Sequence, residues 1–112
     1  MSKIKLKLTI GAQARRVDYC NLEGRRLRPD DYFTLKKGEW VAEFTDFPID
    51  ADNDLDLLLV VVGNPRTTCT LTVEINALPA LSFSLDEAFN NSGYGAFTQQ
   101  ISVPTTALQP LA

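Results

Sequence analysis

The chain has 112 residues, two cysteines and no histidine, with a net charge of −3 at pH 7 and a pI of about 4.8. The acidic balance argues against nucleic-acid binding, which favours basic surfaces, and no apolar run reaches the roughly 18 residues of a transmembrane helix. Without histidine, the chain cannot form the usual catalytic triads and lacks the commonest general base. We therefore expect that the protein is not an enzyme. The N-terminus lacks the apolar core and cleavage site of a signal peptide, so we expect a cytoplasmic location, with a trimmed chain or secretion by another route as the open alternatives.

The N-terminal stretch predicts a strand. Over residues 3–10, apolar side chains alternate with lysines and a threonine, which is the period of a half-buried strand with a lysine-bearing edge or face. Residues 12–30 show no long period. There we expect a short strand near Val17, followed by turns at residues 21–24 and 28–30.

A hairpin is predicted around Lys37-Gly38, between strands at residues 32–35 and 40–45. Trp40 shares a face with two further apolar residues, so we expect the only tryptophan of the chain to lie in the core. Pro48 is expected to end the second strand, because proline cannot donate to a strand ladder.

The most apolar part of the chain is LDLLLVVVGNPRTTCTLTVEI, residues 55–75. Residues 57–62 contain no polar side chain, which predicts a strand that is buried on both faces. Residues 69–75 alternate between apolar and polar side chains, as a strand with one core face does. We expect these two strands to form the central hairpin of the fold, joined by a turn at Gly63-Asn64-Pro65.

The C-terminal third predicts two more strands. Apolar residues alternate with serines over residues 81–85, and a last strand covers residues 97–103. Between them, Ser84 and Glu87 match a helix capping box, which predicts one helical turn near residues 85–90.

Seven to eight short strands with turn signals between them predict an antiparallel β-sandwich or a small barrel, of which we expect the sandwich. We expect one domain over residues 1–104 and a tail over residues 105–112. Residues 70–103, with TLTVEINALPALSFS and GYGAFTQQISVP, resemble the closing strands of jelly-roll carbohydrate-binding modules. The acidic loop of residues 50–56 is similar to the calcium loops of C2 domains. These resemblances imply a jelly-roll-like or C2-like sandwich, and no residue role is carried over from either family.

The acidic loop is the first candidate site. Asp50, Asp52, Asp54 and Asp56 stand at alternate positions. Crowded carboxylate oxygens are what Ca²⁺ prefers, because the cation offsets their mutual repulsion. An EF-hand does not fit, since the sixth position is Leu55 where that loop needs glycine. A loop-type calcium site for a carbohydrate or lipid ligand and a merely solvated acidic loop both remain open.

Charge is divided along the chain. Residues 1–37 carry ten basic and four acidic side chains, a net charge of +6, and residues 38–112 carry one basic and ten acidic, a net charge of −9. In a sandwich the two halves interleave, so this division need not appear on the surface. If it does, a basic patch suits an anionic partner such as a lipid headgroup or an acidic protein, or the acidic face of a second copy.

The candidate binding residues are arginines in predicted loops, together with a tyrosine whose ring two flanking glycines leave accessible. They are Arg15, Arg16, Arg25, Arg26, Arg28 and Tyr94. The polar loops at residues 21–28 and 90–94 also suit a sugar, if both lie at one end of the sandwich.

The cysteines suggest no metal site. Cys20 and Cys69 are far apart and neither has a CxxC partner, so two buried reduced thiols and one disulfide both remain open. The sequence as a whole predicts a binding or assembly module that acts through protein–protein contact, with self-association through the divided charges as its specific form. A Ca²⁺-dependent carbohydrate- or lipid-binding module is the alternative.

Overall fold

A computed structural model describes residues 2–11, 14–49, 54–76 and 78–103. Within these ranges the chain forms nine strands in two antiparallel sheets and one short helix, so the predicted all-β sandwich is confirmed. The tail predicted from residue 105 lies outside the described residues. The strands are β1 (Ser2–Ile10), β2 (Ala14–Leu22), β3 (Arg25–Leu27), β4 (Thr34–Lys36), β5 (Glu39–Ile49), β6 (Asp54–Gly63), β7 (Thr70–Ile75), β8 (Leu81–Ser84) and β9 (Tyr94–Ser102), and the helix is α1 (Pro29–Tyr32).

The two sheets enclose one apolar core. The larger, sheet A, has the order β4-β5-β1-β7-β8, and the smaller, sheet B, has the order β3-β2-β6-β9. Since successive side chains of a strand point to opposite faces, each long strand sends about every second residue inward, where the buried residues form a single cluster. The described part of the chain contains no buried polar or charged side chain.

Two tight hairpins set the register at one side of the sandwich. Glu23-Gly24 joins β2 to β3, and Lys37-Gly38 joins β4 to β5. All four residues have positive φ angles, 55° and 73° in the first loop and 52° and 82° in the second. Two-residue loops of this kind are type I′ turns, whose twist matches that of the paired strands. The hairpin predicted at Lys37-Gly38 is confirmed.

Trp40 packs against the core, as the sequence predicts. Its position in β5 is opposite Ile10 of β1, on the inward face of sheet A. The indole Nε1 donates a hydrogen bond of 3.0 Å to the backbone carbonyl of Ala14 in β2. The side chain therefore links the two sheets.

The arginines that the sequence places in loops lie in strands. Arg15 and Arg16 belong to β2, which is nine residues long, and Arg25 and Arg26 belong to β3. The loop prediction for these four residues is wrong. Two register shifts in the pairing of β2 with β6 mark β-bulges, and each bulge adds a residue that breaks the period of two on which strand prediction depends.

The predicted central hairpin does not form. β6 lies in sheet B between β2 and β9, whereas β7 lies in sheet A between β1 and β8. The connection of residues 64–69 crosses from one sheet to the other, and it includes the buried Cys69. This path brings the inward faces of both strands to the core.

β6 is also not buried on both faces. Leu55, Leu57, Leu59 and Val61 are buried against sheet A, but the alternate apolar residues point outward. Among these Leu58 is 37% exposed. No second layer of described residues covers this face. The unbroken apolar run therefore forms a strand that is buried on one face only.

Pro48 does not end its strand. It lies within β5, where it is paired with Lys3 of β1. The short strand β4 covers only residues 39–41 of β5, so β1 is the only described strand that pairs with β5 at Pro48. Proline is tolerated at such an edge because no second ladder needs its missing N–H.

The helical turn predicted near residues 85–90 is absent, and a helical turn occurs instead at α1. A helix would need the Phe89 N–H to bond the carbonyl four residues earlier. It donates instead to the Thr67 carbonyl at 2.9 Å, while the Asp86 N–H donates to Ala96 of β9 at 2.9 Å. The described residues contain no helix that could span a membrane.

Candidate functional site

The outward face of sheet B carries a row of apolar side chains along β6. We call Leu58, Val60 and Val62 the apolar stripe. Leu58 is exposed and the two valines are partly buried. Their neighbours follow from the strand register, which sets three rows across the sheet: Arg16–Val62–Tyr94, Tyr19–Val60–Ala96 and Asn21–Leu58–Thr98.

One side of the apolar stripe is basic. The guanidinium carbon of Arg26 lies 5.5 Å from the centre of the Tyr19 ring, within the range of a cation–π contact. Arg16 is exposed next to Val62, and its Nε lies 3.5 Å from a carboxylate oxygen of Asp18. Both arginines therefore sit beside the stripe, on the side of β2 and β3.

The other side of the stripe is acidic. The segment of residues 85–93 runs along β9, and its Asp86 and Glu87 line a shallow depression of about 400 Å³ with Val60 and Tyr94. Asp86 is held in place by two hydrogen bonds, because its N–H donates to the Ala96 carbonyl and its Oδ1 accepts from the Thr98 N–H at 3.3 Å. Arg16 and Arg26 thus lie on one side of the stripe and Asp86 and Glu87 on the other, while Asp18 accompanies Arg16 and Asp56 lies on the outward face of β6 itself.

On the outward face of sheet A the charges are mixed. Lys7 of β1 is paired with Glu43 on one side and Glu74 on the other, and its Nζ lies 3.9 Å from the Glu74 carboxylate. Both side chains of that ion pair are about half exposed, so the pair contributes little stability. Sheet A presents lysines between glutamates, with no apolar stripe comparable to that of β6 among the described residues.

The outer edge of β9 next to the apolar stripe is covered by the segment of residues 85–93. Asn90 donates its N–H to the Tyr94 carbonyl at 3.0 Å and accepts the Tyr94 N–H at 3.0 Å through Oδ1. Together with Asp86, this side chain covers the outer edge of β9 from residue 94 to residue 98. Covered edges and very short edge strands such as β3 oppose pairing with another sheet. β3 pairs with β2 only over residues 20–22, so residues 14–19 of β2 have no strand partner on that side among the described residues.

A glycine in β9 allows the segment of residues 85–93 to pack closely against the strand. Gly95 of β9 has no side chain, and an added Cβ would lie 3.0 Å from carbon atoms of both Leu85 and Phe89. These two buried side chains fill the space above Gly95. The glycines beside Tyr94 therefore have a packing role, and Tyr94 is 41% exposed, as the sequence predicts.

The predicted arginines do not form one group. Arg16 and Arg26 flank the apolar stripe, whereas Arg15 donates to the Asn64 side chain beyond the end of β6. Arg25 lines a separate groove near Phe44, and Arg28 lies 3.9 Å from Asp31 of α1. Of the six predicted binding residues, the structure therefore places Arg16, Arg26 and Tyr94 beside the apolar stripe, on one face of sheet B.

The two polar loops lie at opposite ends of sheet B. Leu22, next to the first loop, is paired with Leu57, and Tyr94, at the end of the second loop, is paired with Val62. Five residues of strand separate these positions, which is about 17 Å. The prediction of one sugar site formed by both loops is therefore wrong.

The acidic loop is described only in part. Asp50 and Asp52 lie outside the described residues. Asp54 and Asp56 both point outward at the start of β6, where the Ser102 hydroxyl donates to Asp54 at 3.3 Å and the Asp56 N–H donates to a Glu23 carboxylate oxygen at 2.6 Å. The described residues contain no group of three or more side chains placed to bind a metal ion, and the calcium site stays a prediction.

Both cysteines are free and buried. Cys20 points inward from β2, and Cys69 precedes β7. Burial raises the pKa of the Cys20 thiol from 9.0 to about 12 and that of the Cys69 thiol from 9.0 to about 11. Such thiols remain protonated at neutral pH and are poor nucleophiles.

Several surface residues of this site were not predicted from the sequence. They are Tyr19, Leu58, Val60, Val62, Asp86, Glu87 and Ala96. If residues 57–62 had been interpreted as a strand with one core face, the sequence would have predicted an outward row of apolar side chains. Because the run contains no polar residue, the sequence does not indicate which of its side chains point outward. No protein-family model, curated protein or solved structure significantly matches this chain. The jelly-roll and C2 resemblances stay predictions.

Proposed function

We propose that this chain is a non-catalytic binding module that contacts a protein partner through the outward face of sheet B. The observation that carries the proposal is the exposed apolar stripe of Leu58, Val60 and Val62, with an arginine side and a carboxylate side. A row of aliphatic residues in contact with water is unfavourable by about 25 cal/mol per Å². A partner that covers the row would recover this free energy.

The composition of the face fits an interface better than a catalytic cleft. Protein interfaces have an apolar centre with a polar rim, and tyrosine and arginine are enriched in them. Tyr19 and Tyr94 flank the stripe, and Arg16 and Arg26 lie at its rim. The chain has no histidine, and the two buried thiols are not available as nucleophiles. These features support binding without chemistry.

Photo-crosslinking in the cells that make the protein tests this proposal. A photoreactive phenylalanine analogue replaces Leu58 on sheet B or, as a matched control, the exposed Ser82 of β8 on sheet A. We expect a discrete protein adduct, identified by mass spectrometry, from position 58 and none from position 82. No adduct at position 58, or equal adducts at both positions, would contradict the use of this face.

Calcium-dependent binding of a carbohydrate or lipid is the second function that we propose. The supporting observation is that Asp54 and Asp56 occupy alternate positions of β6, so both carboxylates point to the outward face. Binding to the native state would raise the melting temperature in millimolar Ca²⁺. A double variant, Asp52→Asn with Asp54→Asn, should lose this rise, while Glu87→Gln should keep it. A rise that survives in the double variant would remove the loop as the site.

A further inference from the structure

We infer that the partner of the apolar stripe is a second copy of this chain, packed face to face about a two-fold axis that runs nearly parallel to β6. This inference rests on the proposed function and names its partner. It is carried by the way in which the basic and acidic sides of one face are placed relative to the apolar stripe between them.

The charge division selects the direction of the axis. Arg16 and Arg26 lie on the β2 side of the stripe, and Asp86 and Glu87 lie beyond β9 on the other side. A two-fold rotation about β6 exchanges these sides and places the basic side of one copy over the acidic side of the other. A two-fold rotation about an axis across the strands would place arginines over arginines. Charge complementarity therefore favours the first arrangement.

Arg26 and Asp86 also lie at similar positions along the direction of β6. Arg26 is paired with Asn21, which is paired with Leu58. Asp86 bonds Ala96 and Thr98, which are paired with Val60 and Leu58. Rotation about β6 preserves height along the strand, so Arg26 comes to face the partner's Asp86.

The rows through Val62 and Val60 match in the same way. Arg16 and Tyr94 lie on opposite sides of Val62, so the rotation places the Arg16 guanidinium over the partner's Tyr94 ring. Tyr19 meets the partner's Ala96, and the apolar stripe meets its own copy at the axis. Each copy thus supplies an apolar centre between a basic and an acidic side, which makes the face self-complementary, as an isologous interface requires. The contact is confined to the height of residues 58–62, because Asp56 on the outward face of β6 would otherwise meet its own copy at the axis. Twisted sheets pack at about 30°, which sets the axis about 15° from β6.

The size of the face indicates a weak dimer. Four strand spacings by the four residue rises from Leu58 to Val62 give a footprint of roughly 20 Å by 14 Å. Interfaces of standard size bury about 800 Å² per partner, which is more than this footprint provides. We therefore expect a dimer whose population depends on protein concentration and falls as salt screens the charged sides.

Charge exchange between two variants tests the arrangement. One variant carries Arg16→Glu and Arg26→Glu, which makes both sides of the stripe acidic. The other carries Glu87→Lys and Asp86→Asn, which makes both sides basic and keeps an oxygen that accepts the Thr98 N–H. Light scattering across a concentration series measures the molar mass of the wild type, of each variant and of their equal mixture. The control carries Lys3→Glu and Lys5→Glu, which repeats the first variant's charge change on sheet A.

We expect the wild type and the control to approach twice the 12.4 kDa of one chain as concentration rises. Each face variant should stay at the mass of one chain, and the mixture should dimerise again. A wild type that stays monomeric, or a mixture that does not recover, would overturn the inference. In the first case an adduct at position 58 with a different protein would leave the proposed function standing. The absence of any such adduct would remove both.

Discussion

Gly63 and Gly93 are joined by a backbone hydrogen bond, in which the Gly63 N–H donates to the Gly93 carbonyl at 2.8 Å. The contact closes the end of β6 against the start of β9. Gly93 has a φ of 85°, and a Cβ at this position would lie 2.7 Å from the Gly63 carbonyl oxygen. The turn thus needs glycine both for its conformation and for its space.

Gly93→Ala should therefore lower the free energy of unfolding by about 2 kcal/mol or more, because the left-handed conformation and the backbone clash both penalise a side chain. Gly24→Ala is the matched control. Gly24 has a φ of 73°, but a Cβ there would meet nothing within 4 Å, so only the conformational cost of about 1 kcal/mol applies. Urea denaturation of both variants measures the two changes in the free energy of unfolding. Equal decreases would show that the close approach to Gly63 does not contribute to the effect.

Adjacent residues of β1 should differ sharply in their effect on stability. Leu8 is fully buried, and Leu8→Ala should cost about 2–5 kcal/mol. Lys7 is exposed and forms a 3.9 Å ion pair with the equally exposed Glu74, so Lys7→Gln should change stability by no more than about 0.5 kcal/mol. Thermal unfolding of the two variants checks the inward and outward assignment of β1, and a large loss from Lys7→Gln would contradict it.

The two type I′ turns should respond to asparagine to different extents. Lys37 has a φ of 52° and Glu23 has a φ of 55°, and asparagine tolerates this conformation better than either residue. Lys37→Asn should stabilise the protein by about 0.5–1 kcal/mol. Glu23→Asn should gain less or lose stability, because the Glu23 carboxylate accepts the Asp56 N–H at 2.6 Å. Chemical denaturation of both variants tests this, and an equal gain would show that the Glu23 contact contributes nothing.

The buried thiol of Cys20 should make stability depend on alkaline pH. Burial raises its pKa from 9.0 to about 12, so above pH 9 the unfolded chain loses a proton that the folded chain keeps. The stabilisation is therefore complete below about pH 9 and is lost as the pH rises towards 12. Urea midpoints between pH 8 and 11, for the wild type and for Cys20→Ala, measure it. The difference between the two proteins should shrink with rising pH, and a constant difference would refute the linkage.

The sequence by itself determined the local elements. Alternating side chains over residues 3–10 identified a strand, and Lys37-Gly38 identified a hairpin turn, because side-chain alternation and positive φ angles depend on neighbours in the chain. The short even spacing of strands was enough to predict an antiparallel sandwich. Trp40 could be assigned to the core because its apolar neighbours repeat with a period of two.

Only the tertiary structure decided which strands pair and which faces stay exposed. Strand partners are distant in sequence, and nothing local prevents β6 from pairing with β7 in place of β2 and β9. For the same reason, a run such as residues 57–62 cannot reveal that Leu58 points away from the core. The fold also determines where the basic and acidic side chains meet. In sheet A they alternate around Lys7, whereas in sheet B Arg26 and Asp86 lie on opposite sides of the apolar stripe. The strand order sets which charges become neighbours, and that order comes from long-range hydrogen bonding and packing.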